Sequence, residues 1–177
     1  MIEGIGRRFL PWQLAKTLKQ NQPPRENIDF QIAKEIGILF SSESNAKTEL
    51  IEKFAESLRS QGKKVHMMAF VDKNSDIPSG GLDFFSYKDI SLLGSLKNEK
   101  AIQFAKKDFD FLFCFDQHPS ILIEQVLAMS KAHFRVGYYQ SEEKRDFFEL
   151  MVKLPKKSGD HGMIREMEYF TKYLIKK

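Results

Sequence analysis

One cysteine in 177 residues, Cys114, leaves no partner for an internal disulfide and rules out a multi-cysteine zinc site. That scarcity fits a reducing compartment. No uninterrupted apolar run approaches the roughly 18 residues of a membrane span, and the opening MIEGIGRRFLPWQLAKTLKQ has no apolar core of signal-peptide length. Together these point to a cytoplasmic chain. There is no GxSxG elbow, so serine-hydrolase chemistry has no support. Glycine is missing where it would matter most. The stretch EIGILFSSESNAKTELIEKF (35–54) has the pattern of a buried strand, a polar turn and a helix, yet its turn SSESN lacks the glycines of a dinucleotide fingerprint or a P-loop.

What is present is ordinary in bulk and uneven in distribution. The chain is long enough for one substantial core, and at this length roughly 70% of the unfolded surface can be buried. Sixteen phenylalanines suggest that the core is rich in aromatic rings. Positive charge gathers at the ends. Residues 1–27 carry five basic side chains against Glu3 and Glu26, and residues 151–177 carry seven against Asp160, Glu166 and Glu168. The net charge of +4 and pI near 9.0 therefore come from the termini, an arrangement that suits an anionic partner such as RNA or a membrane surface. Lys-rich helix faces that are simply solvated are the alternative.

The organisation reads as a basic amphipathic helix and Pro-rich spacer over 1–27, followed by a single α/β domain over 28–177. In RRFLPWQLAKTLKQ, Leu10, Leu14 and Leu18 recur every four residues and Pro11 is expected in the first helical turn; NQPPREN should end the helix. From residue 35 strand and helix patterns alternate: IGILF, then a helix closed by Gly62, then KKVHMMAFV, with a weaker region over 72–97. A helix at NEKAIQFAKK, the strand FDFLFCF, a helix at PSILIEQVLAMSKA, the strand HFRVGYY, the segment FFELMVKL and a closing helix complete the chain. Strands separated by helical crossovers imply a mostly parallel sheet, here a Rossmann-like three-layer sandwich of five or six strands.

In such a sheet ligands bind beyond the carboxyl ends of the strands. In SSESN, the side chains of Ser41, Ser42 and Asn45 are candidates to shape an anion or sugar pocket, although Glu43 opposes an anion, and Ser44 or Asn45 equally suits a helix cap. In FCFDQHPS, Asp116 and His118 stand at the mouth of a buried strand ahead of Pro119. That placement offers hydroxyl binding or proton transfer, with helix capping as the competing role. Asp72 holds the position of a ribose-binding acid in a dinucleotide fold. Cys114 should point into the core by strand alternation. His66, His133 and His161 form no metal-ligand spacing, so neither metal nor cofactor is expected.

The ordered set AKEIGILF, LRSQGKKV, FVDK, DFFSYKDISLLG, DFDFLFCFD, AMSKAHFRVGYY and FFELMVKL resembles an uncharacterised family of small Rossmann-like proteins widespread in Bacteroidota, across nearly the whole chain. FDFLFCFD with its helix and FRVGYY is also similar in pattern to the nucleotide-free half of heptosyltransferase-type glycosyltransferases. The residues themselves suggest a non-catalytic binding module that engages RNA or a ribosomal particle through Arg7, Arg8, Lys16, Lys19, Lys156 and Lys157, with a protein partner of the N-terminal helix as a variant of the same idea. The second reading is a small-molecule enzyme or sensor built on Asp116, His118, Ser41, Ser42 and Asn45.

Overall fold

The computed structural model describes residues 2–26, 28–72, 80–139, 141, 146–154 and 159–173. Its helices are α1 (Ile2–Gln20), α2 (Asn45–Ser60), α3 (Glu99–Lys106), α4 (Ile121–Met129) and α5 (Asp160–Lys172). The strands are β1 (Glu35–Ser41), β2 (Lys64–Val71), β3 (Phe84–Ser86), β4 (Phe111–Cys114), β5 (Phe134–Tyr138) and β6 (Leu150–Val152). They form one six-stranded sheet in the order β3-β2-β1-β4-β5-β6 with every pairing parallel. This is the doubly wound Rossmann order, and the chain reverses direction across the sheet between β1 and β4.

The right-handedness of parallel crossovers decides which helix covers which face. The β1-to-β2 connection steps one way across the sheet and puts α2 on one face. The connections into β4 and β5 step the other way and put α3 and α4 on the opposite face, where α1 joins them. Two cores result. Ile36, Ile38 and Phe40 of β1 face α2 and α5, with Ile51, Phe54, Leu58, Met163 and Met167 against them. Leu39, Leu112 and Cys114 face the other way, onto Leu10, Phe104, Leu122 and Val126. Cys114 is fully buried there, as strand alternation requires.

A ladder of aromatic rings runs along β4 and just beyond it. Phe111, Phe113 and Phe115 sit on one face at successive i, i+2 positions with centroids 6.1 Å apart, and Phe30 and Phe54 meet them edge-on at 5.3–6.1 Å. Offset stacks flanked by perpendicular rings satisfy the aromatic quadrupole, so this ladder contributes more than its buried area.

The first helix departs from the sequence expectation. It begins at Ile2 rather than near Arg7, which puts Pro11 inside the helix instead of in its first turn. Without an N–H, Pro11 leaves the Arg7 carbonyl lacking its usual intrahelical donor. Tertiary contact offsets that cost. Leu10 is buried, Leu14 and Leu18 pack on the same core, and the Ser91–Gly94 turn lies directly on the helix. Gly94 has φ +77°, and a Cβ there would come within 2.9 Å of Leu10 N and Phe9 C, so only glycine permits this approach. The spacer is tied down as well. Asn21 Nδ2 donates to Ala128 O and Ser130 O at 2.7 and 3.1 Å, Arg25 donates to Ala132 O and Ser130 O, and Glu26 N donates to His133 O at 3.1 Å.

Gly137 in β5 marks a second tight contact, because a Cβ there would overlap the ring of the buried Phe148. Gly137→Ala is expected to destabilise the chain by about 1–3 kcal/mol, read as a lower urea midpoint with unchanged slope. An unchanged midpoint would mean that Phe148 moves aside at no cost.

Candidate functional site

The turn after β1 and the bend after β4 meet at the carboxyl end of the sheet where the strand order reverses. Asp116 is buried there, and its Oδ2 accepts from Ser41 N at 2.8 Å and Ser41 Oγ at 3.1 Å. Its Oδ1 accepts from Lys47 Nζ at 2.7 Å. Lys47 belongs to the first turn of α2, and its ammonium also reaches Glu43 Oε2 at 3.5 Å. Burial pushes the Asp116 carboxyl above its ordinary range, while the charge and hydrogen bond of Lys47 pull it back. The surrounding hydroxyls are also engaged. Ser42 Oγ and Thr48 Oγ1 share a hydrogen bond of 3.0 Å, and Ser44 Oγ caps α2 by accepting from Lys47 N at 3.2 Å.

The structure thus brings Ser41, Ser42 and Asp116 together and separates them from the other two candidates. Asn45 opens α2 with its side chain exposed. His118 is exposed in the bend after β4 and makes no hydrogen bond or ion pair among the described residues. Capping of α4 falls to neither Asp116 nor His118: Ser120 accepts from Ile123 N, and Pro119 precedes the cap instead of occupying the first helical position. A carboxylate of the chain itself sits where a bound anion would meet the β1 turn. Sequence reasoning missed Lys47. The available signal was its register, since Lys47, Ile51, Phe54, Ala55 and Leu58 form one i, i+4, i+7, i+8, i+11 stripe, all buried.

The second candidate region is the outward side of α1. Arg8, Trp12, Ala15 and Lys19 follow one another at i, i+4, i+7 and i+11, with Phe9 and Lys16 alongside, and every one is exposed, Trp12 to 57%. Lys16 Nζ lies 5.3 Å from the centre of the Trp12 ring. Arg7 is drawn aside, its guanidinium stacked 3.7 Å over Tyr87. No carboxylate among the described residues pairs with Arg8, Lys16 or Lys19. Lys156 and Lys157 lie outside the described residues.

Among the described residues no group of three or more His, Cys, Asp or Glu is placed to hold a metal ion, and no helix is long and apolar enough to cross a membrane. The sheet order and the two-faced helical cover define an α/β protein of Rossmann-like architecture. Within that class the chain belongs to a family of unknown function, DUF6913, whose profile matches residues 7–174. No curated protein and no solved structure matches it.

Proposed function

We propose that the chain is a non-catalytic binding module that engages RNA, alone or in a ribosomal particle, through the outward face of α1. The observation that carries this reading is the basic and aromatic stripe itself: Arg8, Lys16 and Lys19 surround an exposed tryptophan without a carboxylate partner among the described residues. Basic side chains neutralise backbone phosphates, and an exposed indole offers a stacking platform that any unpaired base accepts. The switch point at the carboxyl end of the sheet supports the same choice. Its Lys, Asp and Ser groups bond one another, which leaves little there for a ligand to satisfy.

The test is equilibrium binding of a single-stranded RNA across a salt series. Affinity should fall with salt, and the triple variant Arg8→Glu, Lys16→Glu, Lys19→Glu should lower the logarithmic salt slope by about two. Trp12 is the only tryptophan, so its fluorescence reports contact directly. Binding that ignores salt, or an unchanged slope in the triple variant, would remove the reading. A purified protein that carries only a small metabolite, lost on Asp116→Ala, would favour a ligand site at that switch point instead.

A further inference from the structure

Where α1 ends, the spacer and the β5–β6 side of the sheet enclose a recess of about 310 Å³ lined by Lys19, Asn21, Gln22, Arg25, Arg135 and Asp146. That volume is at the lower end of the range occupied by small-molecule sites. We infer that this recess is a binding site for a phosphoryl group, carried either by a free phosphomonoester or by the end of an RNA strand.

The geometry rests on an imbalance of charge among the described groups. Arg25 and Arg135 share a single carboxylate, Glu149, and they share it unequally. Arg135 Nη2 lies 2.8 Å from Glu149 Oε1 and its Nε 3.0 Å from Oε2, whereas Arg25 Nε stands 3.6 Å from Oε1. Lys19 adds a third cation to the lining, and Asp146 is the one acid among the described residues that line the recess. Burial, and then the adjacent Arg135 charge, bring the Arg25 guanidinium down to about 10, as expected for a cation short of counter-charge.

Donors remain for a ligand. Arg25 spends one N–H on Ala132 O and another on Ser130 O, so its planar fork still holds unspent N–H bonds. The Lys19 ammonium and the exposed Gln22 amide flank it. These donors come from three side chains that line one recess. A tetrahedral phosphoryl group bridges such a set, whereas a flat carboxylate engages one fork at a time.

The free-anion form of this inference stands apart from the reading above; the RNA-end form rests on it. The experiment uses the full chain with inorganic phosphate, adenosine monophosphate and succinate, each compared with chloride at matched ionic strength. Phosphate and the nucleotide should raise the thermal midpoint saturably, as ligands of the folded state do. Gln22→Glu, which places a negative charge on an exposed lining residue, should weaken both by about tenfold or more, while Lys53→Glu on the exposed side of α2 should leave both unchanged. In parallel, RNA oligomers with and without a 5′-phosphate are compared. A preference for the phosphorylated end that Gln22→Glu abolishes would assign the site to RNA ends. Saturable phosphate binding without RNA binding would uphold the free-anion form and remove the reading built on α1. RNA binding without response to phosphate, nucleotide or 5′-phosphate would leave that reading standing and overturn this one. Succinate binding in place of phosphate would overturn it too.

Discussion

Lys47→Met is expected to lower the unfolding free energy by about 3–5 kcal/mol at neutral pH, because it leaves the Asp116 carboxylate buried without its cation. The deficit should depend on pH in a defined direction. Burial already holds the folded-state Asp116 carboxyl above its unfolded value, with Lys47 as the main opposing influence. A carboxyl raised in this way contributes stability that is fully present below its unfolded pKa and is lost as pH rises through the folded one. Removing Lys47 lifts the folded value further, so the loss becomes larger and extends to higher pH. In acid, where Asp116 is neutral in both states, the variant should approach or exceed the wild-type chain. Urea unfolding at a series of pH values reads this directly. A deficit as large in acid as at neutrality would mean that Lys47 acts through packing rather than charge. Adding Asp116→Asn to Lys47→Met should restore most of the loss, since an asparagine oxygen still accepts from Ser41 N and needs no counter-ion.

The same pair shows where the sequence stops being legible. The parallel α/β architecture follows from segment pattern, because continuous apolar runs separated by amphipathic helices have few other ways to bury both faces. Strand alternation alone placed Cys114 in the core. The strand order lay beyond such reasoning, since crossover length permits either hand of the sheet to be filled first and only packing chooses. The partners of Lys47 and Arg135 were hidden for a related reason. A charged residue in a buried register needs a partner, and those partners, Asp116 and Glu149, are local only in the fold. The start of α1 was hidden by its glycines. MIEGIG has poor helix propensity, yet Gly6 is required where a Cβ would strike the Ser91 carbonyl, so tertiary contact overrides local preference.

Arg135→Lys keeps the charge and should still cost about 3 kcal/mol, because the loss is one of geometry. The guanidinium of Arg135 binds both oxygens of Glu149, donates to Leu127 O at 3.2 Å and donates to Asp146 O at 3.0 Å. Leu127 lies in the last turn of α4, whose carbonyls carry partial negative charge, and Asp146 and Glu149 belong to the segment leading into β6. One planar group therefore fastens a helix end to the edge of the sheet. An ammonium on a flexible stem reaches only part of that set. The damage should be local before it is global, since β6 is a three-residue edge strand that, among the described residues, pairs only with β5. Native-state hydrogen exchange should accelerate at the amides of Glu149 and Tyr139, which donate to Arg135 O and Val152 O, while β1 amides keep the protection set by global unfolding. Uniform acceleration across both strands would instead mark Arg135 as a support of the whole core, and unchanged exchange at Glu149 would show that the bidentate pair contributes nothing to holding β6.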